Sequence, residues 1–243
     1  MNEPQINHDP VGEATLTVIS KADKFNRWMY KTIRPFLEEP ILEIGSGIGN
    51  ISKYALAEKL PLTLSDINPA YREALQIKFS SSPSLQGILS IDLIHPDFEN
   101  AYAHLKEKFG SIFMLNVIEH VSDDIKAIRN CRFLLKPSGN LAVLAPAYQW
   151  LFCKLDKELG HYRRYTVKRM TALLQSQHFE IRHKQYFNFA GIPGWLVFGK
   201  LFRKKMLGEE MRIFNSIVPL VRLADKLVLK RAGLSVVVTG IKK

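Results

Sequence analysis

Three acids and three glycines stand where a small ligand could be held. Glu43 directly precedes the run Gly45-Ser46-Gly47-Ile48-Gly49, and Asp66 and Asp92 follow at the ends of later apolar stretches. Glycine tolerates positive φ and lets a ligand approach without meeting a Cβ. A helix opening after such a turn presents unpaired N–H groups and a partial positive charge to the crevice. The spacing is G-x-G-x-G, whereas a dinucleotide fingerprint reads G-x-G-x-x-G and seats a pyrophosphate on the helix terminus. Glu43 would repel a pyrophosphate and attract an ammonium group. Asp66 lies roughly 20 residues beyond the glycines, the offset at which an acid reaches ribose hydroxyls. As isolated residues Asp66 and Asp92 would serve equally well as helix caps, before Asn68 and Pro96. Their place at the carboxyl ends of strands, where open α/β sheets bind ligands, favours the ligand role, more for Asp66 than for Asp92.

A second group carries acid–base and anion-binding chemistry. It comprises Glu119-His120 and the later run Gly160-His161-Tyr162-Arg163-Arg164-Tyr165-Thr166, with Asp156 and Glu158 just upstream. An imidazole titrates near neutral pH, which makes His161 the leading base for a hydroxyl acceptor and His120 the second. Glu119 and His120 fit an ordinary helix start at the cleft edge as well as a direct catalytic role. Adjacent guanidinium groups suit a bidentate grip on carboxylate or phosphate. One of them would equally suit a fixing pair with Asp156 or Glu158. The expectation is one structural arginine and one facing ligand, with the choice between 163 and 164 left open.

The elements that must position these residues follow from apolar runs and punctuation. Strands are predicted to end at Ile44 and at Leu62–Ser65, Ile88–Ile91, Ser111–Leu115, Asn140–Ala145, Phe179–Phe187 and Ser235–Ile241. Helices are predicted over Leu16–Phe36, from Asn68-Pro69 onward, and over Val167–Gln175 behind a Thr166 cap. The roughly 45 residues between the last two strands far exceed a hairpin loop of about 2–5. Within them Ile213, Phe214, Ile217, Leu220, Val221, Ala224 and Leu227 recur at helical spacing, with Arg212, Asn215, Arg222 and Lys226 mostly opposite.

Taken in order, Leu42–Asn50, Asp66, Asp92-Leu93, Asn116–Val121 and Leu134–Gly139 resemble class I S-adenosylmethionine-dependent methyltransferases over about residues 38–147. The resemblance implies an α/β, Rossmann-like seven-stranded sheet, mostly parallel with an antiparallel seventh strand, flanked by helices. Here it would carry a helical insertion between strands six and seven, at about 189–233. It implies S-adenosylmethionine as cofactor and S-adenosylhomocysteine as product. Glu43, Gly45, Ser46, Gly47, Gly49 and Asn116 would serve the methionine portion, Asp66 with Ile67 beside it the ribose, and Asp92 and Leu93 the adenine. Some relatives with E-x-x-E-H at this point hold a divalent metal. The first acid is Asn116 here, one carboxylate and one imidazole make a thin ligand set, and no metal is expected. The G-H-Y-R-R-Y-T run is similar to a bacterial type-11/12-like branch thought to act on small-molecule, lipid-linked or glycan substrates. In relatives the amino-terminal helix is a lid. Trp28 and Tyr30 would then form one acceptor wall, with Tyr148, His161, Tyr162, Arg163 and Arg164 forming the other.

The whole chain is expected to be one methyltransferase domain, 1–243: lid helices at 1–37, the cofactor core at 38–147 and an acceptor-side region at 148–243. At 243 residues and 47% hydrophobic content a substantial core is available. Cys131 and Cys153 show neither paired nor metal spacing, and the first residues lack the blocks of a signal peptide, so a cytoplasmic setting is expected. The net charge of +11 is uneven: 19 Lys and Arg against 6 Asp and Glu from Leu151 onward, and 15 against 17 before it. Trp195, Phe198 and Phe202, interleaved with Lys200 and Arg203–Lys205, suit an anionic membrane surface or a lipid-like acceptor as well as a solvated basic face. Nucleic acid is disfavoured, because the segment after the fourth strand lacks an N-P-P-Y type of motif. The main expectation is O-methylation of a small anionic, partly apolar or lipid-linked acceptor. The alternative is a catalytically idle cofactor-fold subunit bound at the membrane, and an oxidoreductase is a distant third.

Overall fold

The computed structural model describes residues 10–196 and 208–243. Seven strands form one sheet: β1 Ile41–Ile44, β2 Leu62–Ser65, β3 Leu85–Leu89, β4 Phe109–Leu115, β5 Leu135–Pro146, β6 Phe179–Phe187 and β7 Ser235–Lys242. Their spatial order is β3-β2-β1-β4-β5-β7-β6. Pairing is parallel from β3 through β5, and β7 runs antiparallel to both of its neighbours. The helices are α1 Pro10–Ser20, α2 Asp23–Ile33, α3 Ser52–Ala57, α4 Pro69–Phe79, α5 Phe98–Ala101, α6 Asp124–Leu134, α7 Lys154–Glu158, α8 Val167–Ser176, α9 Gly191–Gly194 and α10 Gly208–Leu227.

Alternation along the central strands divides the core in two. Ile112, Met114, Leu141, Val143, Val236 and Val238 face one layer with α6 and α8. Phe113, Ala142, Leu144 and Val237 face the other, with α2, α3, α4 and α10. Strands covered on both sides read as continuous apolar runs, which is why they were conspicuous in the sequence. Each of these side chains larger than alanine contributes roughly 1.5–3 kcal/mol of burial.

Three predicted elements differ in detail. The third strand lies at Leu85–Leu89, so Asp92 sits beyond it in a turn. The single amino-terminal helix is two, broken after Ser20. The apolar residues of α10 do not form one docked stripe: Val218 and Val221 are buried, whereas Ile213, Ile217, Leu220, Leu223 and Leu227 are exposed. Asn215, placed by periodicity on the polar side, turns inward and accepts the N–H groups of Lys24 (2.8 Å) and Phe25 (3.3 Å) at the start of α2. The insertion is tied to the end of β6 by buried Asp225, which accepts from the N–H groups of Asn188 (2.7 Å) and Phe189 (2.6 Å). Among the described residues no helix is long and apolar enough to cross a membrane.

Candidate active site

At the carboxyl edge of β1 the chain turns through Gly45, Gly47 and Gly49, all at positive φ. The turn is pinned to β2: the Ser46 N–H donates to the Ser65 carbonyl (2.9 Å), and the Ser65 hydroxyl donates to the Glu43 carbonyl (2.9 Å). Two of the glycines answer different needs. At Gly49 an added Cβ would lie 2.3 Å from the Phe79 ring, so this residue is small because α4 packs on it. At Gly47 the neighbour is Leu16 of α1, 3.0 Å from a built Cβ, and Asn50 Nδ2 donates to the Leu16 carbonyl (3.0 Å). The amino-terminal helix α1 therefore lies over the turn.

Glu43 is buried, with its carboxylate accepting from the Ser52 hydroxyl. Burial pushes its pKa up to about 8, against the opposing pull of the Ser52 and Ser46 hydroxyls. A carboxyl held this way gains most from a cationic partner. Asp66 is also raised by burial, and it already accepts from the N–H groups of Gly47 and Asn68, both at 2.9 Å. The cap of α4 is Asn68, which accepts from the Ala70 N–H (3.0 Å), whereas Asp66 braces the glycine turn. Beside it Ile67 is 67% exposed, a free apolar surface at the strand end. Asp92 caps its own turn through the Ile94 N–H (2.9 Å). Leu93 was expected against a ring, but its side chain is buried in the core beneath α6. Asn116 is exposed with φ 56, and its N–H is held by the Leu144 carbonyl (2.8 Å).

The second group converges on one buried carboxylate. Asp156 accepts from Arg164 Nε (2.8 Å) and Nη2 (3.1 Å), from the Cys153 N–H (2.9 Å) and from His161 Nδ1 (2.8 Å). Burial alone would raise its pKa; the bonds from His161 and Arg164 outweigh that and hold it below the usual carboxylate range. Arg164 is thereby the structural arginine, with its guanidinium also lying 4.4 Å over the Trp195 ring. Arg163 is not the free partner expected: it pairs with Asp124 (2.9 Å) and donates to the Ser122 carbonyl (2.6 Å). Trp195, expected at an outer surface, instead packs here and donates to the Leu151 carbonyl (3.0 Å). Phe198, Lys200, Phe202 and Arg203–Lys205 lie outside the described residues.

Facing His161 are His120, with ring centroids 4.5 Å apart, and Glu119. Glu119 is fully buried, neither carboxylate oxygen has a hydrogen-bond partner, and burial raises its pKa to about 8. Potential ligand atoms of Glu119, His120 and His161 lie within 4.8 Å of one another. The sequence offered only the first two as neighbours; the third arrives through the fold, because the Tyr162 N–H bonds to the Glu119 carbonyl (2.8 Å). Tyr162 is exposed, and half-buried Tyr148 stacks on Tyr186 at 5.0 Å. Trp28 and Tyr30 form no acceptor wall. Both are core residues, Trp28 against Phe187 (4.1 Å) and Tyr30 stacked on Tyr54 (5.7 Å). Asp124, the partner of Arg163, is the site residue that sequence reasoning missed, since nothing in the spacing links it to residue 163.

A family model for methyltransferase domains matches residues 42–141, from the first strand through the start of the central fifth. Over these residues the chain matches the methyltransferase-domain family. Among solved structures, the chain superposes on an S-adenosylmethionine-dependent methyltransferase from Mesorhizobium loti with a TM-score of 0.61 at 14% identity, covering 89% of this chain and 98% of that one. It also superposes on phosphoethanolamine N-methyltransferase 2 of Haemonchus contortus in complex with S-adenosyl-L-methionine, with a TM-score of 0.60 at 15% identity over 90% of this chain and 52% of that one. In sequence it is 28% identical over 101 residues to the ubiquinone biosynthesis O-methyltransferase of Xanthomonas campestris pv. campestris, covering 42% of this chain. The match spans 40% of that protein's length, and a similar one spans 5% of a highly reducing polyketide synthase of Pyrenophora dematioidea.

Proposed function

We propose that the chain is an S-adenosylmethionine-dependent methyltransferase that methylates an oxygen of a small, anionic, partly apolar acceptor, lipid-linked and met at an anionic membrane face. The observation that carries the oxygen assignment is the Asp156–His161 pair. The carboxylate lies 2.8 Å from Nδ1 and orients the ring, so that Nε2 is the nitrogen left to serve as a base. A hydroxyl acceptor needs such a base; a carboxylate acceptor does not. Solved relatives are described with S-adenosylmethionine and S-adenosylhomocysteine, and the curated relative is named an O-methyltransferase.

The residues present fit the cofactor. The turn at 45–49 offers backbone at positive φ, buried Glu43 awaits a cation, and Ile67 offers an apolar face at the end of β2. When bound, the cofactor supplies an already activated sulfonium methyl, so alignment and exclusion of water provide most of the catalysis. Glu43 would hold the ammonium group, Asp66 the ribose and Asp92 the adenine amine. His161 would accept the acceptor's proton, with His120 beside it. No metal enters this reading: Asn116 replaces a carboxylate, and Glu119 is held protonated below about pH 8.

Calorimetric titration with S-adenosylhomocysteine and NADH tests the cofactor; binding of NADH alone would refute the class. Transfer of a labelled methyl group to aqueous and organic cell extracts tests the acceptor. A base-stable product is expected of an ether, and a base-labile one would make it a carboxyl ester. The idle-subunit reading draws on Leu16 lying against Gly47, and cofactor binding without transfer to any extract would decide for it.

A further inference from the structure

Helix α10 has three distinct faces. Val218, Val221 and Asp225 are buried, with Asn215 capping α2, so this face is committed to the fold. A second stripe, Ile213, Ile217, Leu220, Leu223 and Leu227, is exposed at 44–75% per residue. A third flank carries Arg212, Arg222 and Lys226, and Lys230 and Arg231 follow just beyond the helix. Beyond Glu209 and Glu210 in the first turn, the only carboxylate up to Arg231 is Asp225, and it is turned inward onto the Asn188 and Phe189 N–H groups.

We infer that this outer stripe of α10 docks on a membrane surface rich in anionic phospholipid, with the helix lying in the plane of the interface. Aliphatic side chains at i, i+4, i+7, i+10 and i+14 with cations along one side match an interfacial helix, whose apolar stripe enters the acyl boundary while basic residues meet headgroup phosphates. The stripe is about 21 Å long at the helical rise, so it lies on a bilayer rather than across it. Charge selects the occupant. A second copy of the chain would bring the same cations face to face, and nucleic acid would leave five aliphatic side chains in water. Position gives the docking a purpose. Because β6 runs parallel to β1, its end at Phe187 lies on the same edge of the sheet as the glycine turn, and Asp225 ties the last turns of α10 to that end. Docking would therefore set the cleft mouth at the lipid surface. That purpose rests on the lipid-linked acceptor reading above; the docking itself does not.

The test is flotation of the full chain with phosphatidylcholine vesicles, with and without phosphatidylglycerol, alongside a Leu220→Glu/Leu227→Glu variant. Both side chains are already exposed, so folding should persist, and S-adenosylhomocysteine calorimetry on the same variant checks that the cleft is intact. The native chain is expected to float only with phosphatidylglycerol and to be released at high salt. The variant should lose on the order of a hundredfold in partitioning, about tenfold for each leucine kept out of the acyl boundary. Failure to float at low salt, equal flotation of the variant, or a native dimer that Leu220→Glu converts to monomer would each overturn the inference. Loss of membrane binding with cofactor affinity and methyl transfer to a detergent-dispersed acceptor intact would support docking. Loss of transfer with docking intact would refute the acceptor reading alone.

Discussion

Replacing Glu43 by glutamine keeps a hydrogen-bonding partner for Ser52 and removes one titration from the cleft. The Glu43 carboxyl has a pKa of about 8 in the folded chain, because it is buried beside Asp66 with only hydroxyl donors to offset burial. A cationic ligand group requires the ionised form, and at pH 6 only about 1% of a group with this pKa is ionised. Ionisation of Glu43 should therefore favour cofactor binding about 90-fold between pH 6 and pH 9, equivalent to about 2.7 kcal/mol, against the opposing loss of the ligand's own ammonium proton, which the native chain and the variant share. Stability should move in the opposite direction. The folded chain binds this proton more tightly than the unfolded chain, so the contribution is fully present below about pH 4.5 and is lost as pH rises to about 8. Over that interval the loss has an upper limit of about 5 kcal/mol. Glu119 titrates in the same window, so the informative quantity is the difference between the native chain and Glu43→Gln. Titration calorimetry with S-adenosylhomocysteine and urea denaturation, each at pH 6, 7.5 and 9, measure both slopes. Equal pH slopes in the two proteins would refute the assignment of the cation site to Glu43, even if the variant bound weakly at every pH.

Three other outcomes follow from the geometry. His161→Asn should keep cofactor affinity while lowering transfer by about 10²–10⁴, the usual worth of a positioned base; a fall in affinity with transfer otherwise intact would make His161 a binding residue. Gly49→Ala should cost roughly 2–4 kcal/mol in denaturant unfolding, since the new Cβ meets the Phe79 ring at a residue already at φ 75. A loss of cofactor affinity without a loss of stability would return Gly49 to the ligand. Dialysis against a chelator should leave transfer unchanged; loss of activity restored by one divalent ion would assign Glu119, His120 and His161 to a metal.

What the sequence made legible was the part set by local periodicity and chain direction. Buried parallel strands are apolar on both faces, so β1, β2, β4 and β5 stood out, and Glu43 and Asp66 drew notice as acids at their carboxyl ends. The strand β6 was bounded at Phe179 and Phe187, because a bracketed alternating strand carries its own limits. Side chains whose roles depend on distant partners were not legible. Both arginines read alike until Asp124 and Asp156 were placed, and these lie on separate helices. Trp28 and Tyr30 suggested a binding wall by type alone, yet α2 buries the face that carries them. Leu93 follows an acid at the cleft edge but points beneath it, since the third strand ends four residues earlier than its position.

The same contrast explains why α10 carries a surface that periodicity alone could not separate from its docked face. Apolar residues at helical spacing define a stripe, but a stripe wide enough to include Ile213, Phe214, Ile217, Leu220, Val221 and Leu227 exceeds what one groove can cover. The fold uses the part that meets Phe25 and Phe187 and leaves the rest outward. Asn215 is the residue that fixes this rotation: its side chain must reach the first N–H groups of α2, and with Asp225 anchoring the other end the helix cannot turn its leucines inward. Asn215→Leu would remove that constraint. If the exposed stripe is a by-product of helix rotation rather than a surface with a use, this variant should bury it and gain stability with vesicle binding unchanged. If the stripe meets lipid, stability should fall by about 1 kcal/mol for the lost cap, and flotation should weaken as the helix rotates.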